Sequence, residues 1–434
     1  MSDEIPEGWV ETTIGACLEF RYGKGLPEKH RSPGDVPVFG SNGVVGKHNE
    51  SVTSGPTIIV GRKGSVGEVH LCRSPCWPID TTYFIESFGP FEPRLLVHLL
   101  RSLDLSQQES STAIPGLSRD DAYARVLLVP PLSEQRRIAL KVDVVFEQVR
   151  RASERLARLP SILKRFRQAV LAAACTGELT RDWREANGRS ADWALSTVEG
   201  ASDRTVDCPH STPKWTDKGE ICLRTTNFFV RGLDLAEVRY VSPATYTERV
   251  SRLVPEPGDV VYSREGGILG IACVLPKGLR ACLGQRMMLM RPKSSLMRPE
   301  FLCAVLNSPA INAKVRELTG GTASPHLNVG DIKKFEVPLP GLDEQDVILA
   351  KLRSLFTLAD TIENRVQAAV VRAEKLPQAI LSKAFAGELV PTEAELARAE
   401  GRSYETAEEL LKRVTSILPA ASTDKARRRR TRSA

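Results

Sequence analysis

Gly40 to His48 reads G-S-N-G-V-V-G-K-H, the nearest approach in this chain to a phosphate-binding loop. Such a loop needs G-x-x-x-x-G-K-[ST], because its backbone N–H groups cradle phosphates and its terminal hydroxyl ligates magnesium. Here the glycine spacing is wrong, and His48 stands where the hydroxyl belongs. Cys72 and Cys76, with His70 nearby, could ligate a metal, but no second pair completes a structural zinc set. Cys208 and His210 are isolated in the same way. The histidines recur at no informative spacing, and neither N-P-P-Y nor D-P-P-F, the methyltransferase tetrapeptides, occurs. No paired carboxylate–lysine nuclease signature is present either. A reader or a scaffold is the class of function that remains.

The chemistry on offer is recognition. In the first part of the chain, Arg21, Lys24, Asn42, Lys47, Arg62 and Lys63 fall in segments broken by glycine and asparagine. In the second, His210, Lys214, Arg224, Asn227, Arg264 and Arg286 do the same. Arginine and lysine bond guanine edges, asparagine bonds adenine edges, and all reach phosphates. Taken singly, each is equally a solvated surface charge. Their recurrence at equivalent places in two halves is what makes them candidates for DNA contact.

These side chains need elements to hold them, and the sequence shows the elements twice. Thr112 to Leu179 aligns without a gap on Thr322 to Leu389, and 20 of the 68 pairs are identical. That is far beyond chance and marks an internal duplication of a large unit. A-C-T-G-E-L at Ala174 returns as A-F-A-G-E-L at Ala384. Ser133 and Asp343 read as helix N-caps, followed by Glu134 and Glu344, which suit a helix N-terminus. From there apolar residues alternate at four and three. The first copy gives Ile138, Val142, Val145, Val149, Ala152, Leu156, Leu159, Leu163, Phe166, Val170 and Ala173. The second gives Ile348, Leu352, Leu355, Ala359, Ile362, Val366, Ala369, Ala373, Leu376 and Ile380, then Lys383. This heptad seam predicts two long helices packed on each other. Pro160 and Pro377 should kink or briefly interrupt them, and Gly177 and Gly387 should end them.

Before each helix lies a divergent segment, opening at Trp9 or at Trp193. Thr57 to Val69 and Asp259 to Ile271 both read as strand, basic glycine-rich turn and strand. Pro93 to Ser102 and Pro299 to Ser308 both read as a short amphipathic helix. Two β-rich heads on a repeated scaffold suit the same task performed on two targets.

The chain has 434 residues, 41% of them hydrophobic, with no apolar run long enough to span a membrane. The acidic N-terminus lacks an apolar signal core and the nine cysteines are scattered, so a cytoplasmic location is expected. Lys425, Arg427, Arg428, Arg429, Arg430 and Arg432 form a basic, disordered-looking tail. Taking those six from the net charge of +7 leaves +1 for everything else, so any DNA surface must come from local clustering.

Two divergent heads, each begun by a tryptophan and followed by a near-identical helix, resemble the specificity subunits of type I restriction–modification systems. The likeness runs through P-P-L-S-E-Q-R-R-I, L-P-S-I-L-K-R-F-R-Q-A-V-L-A-A-A-C-T-G-E-L, A-D-T-I-E-N-R-V and L-P-Q-A-I-L-S-K-A-F-A-G-E-L-V. The fold it implies is α+β. Two α/β target recognition domains are each followed by a long helix, the two helices packed as an antiparallel coiled coil with pseudo-twofold symmetry. The implied boundaries are 1–131 and 191–341 for the recognition domains, and 132–190 and 342–391 for the conserved helical regions. Residues 392–434 make a helical extension and basic tail. The implied function is recognition of a bipartite, asymmetric double-stranded DNA target. The implied partners are two methyltransferase subunits and the motor-nuclease restriction subunits. S-adenosylmethionine, ATP and magnesium would belong to those partners, with no cofactor, metal or catalytic residue in this chain. The rival reading is a coiled-coil adaptor whose heads bind proteins.

Overall fold

The computed structural model describes residues 5–103, 105, 116–190, 192–230, 232–266, 268–320 and 325–415. The basic tail therefore lies outside the described residues. The chain divides into two compact units. One comprises residues up to Leu156 together with those from Ala369 onward; the other comprises Ala157–Ala368.

In the first unit, Thr57–Gly61 and Val69–Cys72 pair antiparallel, and Thr82–Ile85 flanks the former. With Arg21–Tyr22 at the edge, the order is Arg21–Tyr22, Thr82–Ile85, Thr57–Gly61, Val69–Cys72. Ile58, Ile59 and Val60 are fully buried, as a β-branched run covered on both faces should be. Helix Pro93–Ser102 packs beside them, burying Leu95, Leu96, Leu99 and Leu100. Pro93 opens it, and the Glu92 side chain accepts from Leu95 N–H at 2.9 Å. A smaller sheet joins Gly43–His48, Val36–Gly40 and Trp77–Pro78.

The second unit repeats this plan. Its central sheet runs Ser202–Asp207, Met287–Pro292, Val260–Ser263, Ala272–Val274, again antiparallel throughout. Helix Pro299–Leu306 takes the place of Pro93–Ser102. A second helix, Pro309–Thr319, has no forerunner in the sequence pattern. Each head closes on itself in the same manner. Val10–Thr13 pairs antiparallel with Val126–Val129, and Ala194–Thr197 with Glu336–Leu339, the strands immediately before the long helices.

The long helices are Leu132–Cys175 and Leu342–Phe385. Both begin one residue before Ser133 and Asp343, which lie inside the first turn instead of capping it. In the first unit Ile138, Ala139 and Val142 cluster with Ile380, Leu381 and Ala384. In the second, Val170, Leu171 and Ala174 cluster with Ile348, Leu349 and Leu352, and Arg167 bonds Asp360 and Glu363. Within each unit one helix ascends while the other descends, so the packing is antiparallel. Gly177 and Gly387 end the helices in the left-handed region, at φ 80° and 75°. At the second, Glu388 N–H reaches Lys383 C=O at 2.9 Å, closing a Schellman turn.

Three expectations need correction. Of the kink or brief interruption expected at Pro160 and Pro377, the interruption does not occur, since both helices run through their prolines. A proline removes one i→i−4 bond, and the intact turns on both sides carry the backbone across. The seam is also less uniform than a heptad. Ile138, Val142, Leu163, Ile348 and Leu352 are buried, and Val149, Leu156 and Val366 are half-buried. Ala152, Ile362 and Leu376 are exposed. The buried positions fall near the helix ends, where residues of the adjoining head pack on the helices. Lastly, Lys383 is exposed and the stripe passes through Ile380, Leu381 and Ala384. A 3.6-residue turn drifts against a strict 3.5-residue repeat, so the last position shifts by one.

Candidate nucleic-acid interface

The heads are fastened to the helices by the tryptophans. Trp9 donates its indole N–H to Glu134 at 3.0 Å, and Trp193 donates to Glu344 at 3.0 Å. Both glutamates are buried, so the acid in E-Q is a fastening point more than a dipole partner. Burial raises the Glu134 carboxyl above its ordinary range, opposed by bonds from Glu393 N–H and Trp9. The next residue repeats the logic. Gln135 donates to Pro90 and Pro130 carbonyls, and Gln345 donates to Leu296 and Pro340 carbonyls. In each unit the hairpin bearing the candidate residues is thus held on a braced head.

In the first head the turn after Thr57–Gly61 carries Arg62 and Lys63. Arg62 is half-buried, donates to Asp80 C=O at 3.1 Å, and lies over Tyr22 at 5.1 Å and Tyr83 at 5.7 Å. Arg119 approaches the same Tyr22 ring at 5.3 Å, and Tyr123 at 5.8 Å. Tyr22 is 51% exposed. Burial pushes the Tyr83 phenol up to about 12, so it stays neutral and donates to Leu117 C=O. The result is an exposed aromatic ring flanked by two guanidiniums, with Lys63 exposed next to it. Bases stack on aromatic faces, and guanidiniums bond phosphates or guanine edges. Sequence reasoning misses Tyr22 and Arg119; Tyr22 adjoins Arg21 in R-Y-G-K-G, an aromatic interleaved with cations, which is a usable signal. Gly64 and Gly67 take φ of 78° and 80°, which only glycine adopts without strain.

The remaining first-head candidates are exposed. Lys24 sits over Trp77 at 5.2 Å. Arg21 pairs with Glu19 and Glu86, and Lys47 pairs with Asp35 at 3.0 Å. Asn42 stands in the tight turn between Val36–Gly40 and Gly43–His48.

The second head places the equivalent turn on the same backbone but turns its arginine inward. Leu117 N–H bonds Arg62 C=O at 2.9 Å, and Leu327 N–H bonds Arg264 C=O at 2.8 Å. Yet Arg264 is only 4% exposed. Its guanidinium grips Asp207 with two bonds of 2.9 and 3.3 Å, and also reaches Glu265 and Leu327 C=O. It cannot meet a base edge, so its candidacy is corrected: it is a buried brace. Asn227 is corrected as well. It is 3% exposed, accepting from Arg224 N–H and donating to Asp234 and Glu237 carbonyls, so its amide is used within the loop. Sequence could not separate Arg264 from surface residues, because a partner 57 positions away decides its burial.

What the second head presents to solvent is His210, Lys214 and Arg286. His210 bonds Asp207 at 2.9 Å, above the buried pair. Arg286 has φ 74°, the one positive value outside glycine among the described residues, and lies over Gly266, where an added Cβ would stand 3.4 Å from its guanidinium. Arg224 is half-buried. Gly267 lies outside the described residues.

Residues 220–372 match the model of the type I restriction modification DNA specificity domain. The StySPI specificity subunit of Salmonella potsdam is 33% identical, over 89% of this chain and 90% of that protein. The EcoBI specificity subunit of Escherichia coli is 28% identical, over 76% of this chain and 73% of that protein. Among solved structures, the HsdS subunit from Thermoanaerobacter tengcongensis superposes with a TM-score of 0.62 at 20% identity, covering 89% of this chain and 99% of that one. The chain belongs to the specificity subunits of type I restriction enzymes, non-catalytic proteins with DNA-binding target recognition domains.

Proposed function

We propose that this subunit reads a bipartite, asymmetric duplex target, one half-site per head, separated by bases it does not contact. The supporting observation is the contrast at one backbone position. Two heads whose central four-stranded sheets share one order, fastened alike through Trp9–Glu134 and Trp193–Glu344, carry an outward Arg62 in one and an inward Arg264 in the other. A repeated frame with different reading surfaces is what two different half-sites require. On this reading residues 1–131 and 191–341 are the recognition domains, and 132–190 with 342–391 form the helical spacer. The chain recruits two methyltransferase subunits and the restriction subunits, which carry the chemistry with S-adenosylmethionine, ATP and magnesium.

The experiment is to assemble the subunit with its methyltransferase partner and map the methylated adenines on random-sequence DNA. A two-part motif with an unread gap is expected. Exchanging residues 191–341 for those of another specificity subunit should change one half of the motif alone. A contiguous motif, or both halves changing together, refutes the assignment. The isolated chain should neither methylate nor cleave DNA.

A further inference from the structure

In the first unit, helix Pro93–Ser102, strand Val69–Cys72 and the long helix enclose an open cavity of about 310 Å³. Its wall includes Arg73, Arg94, His98, Arg101 and Asp143. Three guanidiniums face one carboxylate there. Arg94 pairs with Glu92 and Asp143, and Arg101 gives its Nε and one Nη to Val69 C=O. Arg73 is exposed and makes no ion pair or hydrogen bond among the described residues. His98 is 6% exposed, with Nε2 at 3.0 Å from Asp143 and Nδ1 buried without a protein partner.

The duplicate supplies an internal comparison. Aligned on the helix start, Arg94, His98 and Arg101 correspond to Glu300, Ala304 and Asn307; Asp143 corresponds to Arg353. Asn307 keeps the structural duty, tying its helix to Ala272 C=O as Arg101 ties to Val69 C=O. Arg94, His98 and Arg101 thus have no basic residue at the aligned positions. Holding the scaffold together therefore does not require this basic wall, since the second unit does without it.

We propose that the cavity is a binding site for a tetrahedral dianion, a phosphate group, held by Arg73 and Arg101 in front of His98. Guanidiniums bind such oxygens through paired N–H donors. The volume accommodates a phosphate with several waters, each occupying about 30 Å³. His98 couples the site to pH. Burial holds its pKa below the ordinary value, while Asp143 and Glu92 act to raise it and Arg101 to lower it. A dianion in the cavity that His98 lines favours the protonated ring through its charge, so binding takes up a proton and tightens as pH falls. The phosphate could belong to a free solute or to a DNA backbone.

The test is calorimetric titration of the full chain with sodium sulfate at constant ionic strength, at pH 6 and pH 8. Sulfate is divalent throughout, so any pH effect is the protein's. One saturable site is expected, tighter at pH 6. Arg73→Ala, at an exposed position that leaves folding intact, should weaken binding about tenfold, the value of one charge-assisted bond. His98→Gln keeps a donor toward Asp143 and should abolish the pH effect. No saturable binding, or equal affinity in Arg73→Ala, overturns the proposal, whatever His98→Gln does to folding. A short duplex added as competitor separates the sources: displacement of sulfate assigns the site to backbone phosphate, and no displacement assigns it to a free phosphate-bearing solute.

Discussion

Replacing Arg264 should damage folding, while replacing Arg62 at the same backbone position should damage recognition. The Arg264 side chain is 5% exposed and Asp207 is 13% exposed. Arg264→Met keeps most of the volume but leaves Asp207 charged, largely desolvated and, among the described residues, with His210 as its remaining ion-pair partner. Breaking a buried pair by removing one partner costs about 3–5 kcal/mol. For a unit of this size each kcal/mol moves the melting temperature by about 2–4 °C. The melting transition of the second unit should therefore fall by about 10 °C, read by calorimetry on the full chain. Adding Asp207→Leu should restore much of the stability, because both charges then leave the interior together. The residual folded protein, assembled with its methyltransferase partner, should direct methylation to the unchanged motif. If Arg264→Met melts like the wild type and drops one recognised base, the inward placement of Arg264 is wrong and the residue is a reader.

Other outcomes follow from the same geometry. Arg62→Ala should leave the second half-site untouched. If Arg62 reads a base, the change costs about 1–3 kcal/mol at one position of the first half-site; if it touches phosphate, binding weakens evenly across sequences and the salt dependence softens by about one charge. Binding to DNA libraries at two salt concentrations tells these apart, and wild-type behaviour removes Arg62 from the interface. Tyr22→Ala should weaken first-head binding by about 1–3 kcal/mol if a base stacks there, and Tyr22→Phe should restore it. Trp9→Phe removes the indole donor to buried Glu134 and should cost the first unit about 1–3 kcal/mol in urea unfolding, as Trp193→Phe should the second. Inserting seven residues into each long helix, after Ala152 and after Ile362, adds about 10 Å of helix. The unread gap should grow by about three base pairs, at roughly 3.4 Å of duplex each, with both half-sites intact; an unchanged gap in a folded variant means the helices do not set it.

The scaffold is open to reading because its signals are local or periodic. Duplication, a four-three stripe, and glycines where a left-handed residue ends a helix are all written in neighbouring positions. The hairpins at Thr57–Val69 and Asp259–Ile271 are equally plain, as β-branched runs around glycine turns. The E-Q pair shows itself as a repeat, but its purpose does not. Trp9 lies 125 positions from Glu134, and no spacing rule joins them.

Sequence alone determined that this is one half-molecule used twice, non-uniform in its heads and uniform in its helices. It also determined which residue types are available to recognise DNA. Only the tertiary structure decided which of them face solvent. Arg62 and Arg264 have the same chemistry and the same place in a hairpin. The first meets Tyr22 and Tyr83 at the surface, and the second meets Asp207 in the interior. Burial is set by what the chain brings back from far away, here a strand 57 residues earlier, and a charge goes inside only when its partner arrives with it.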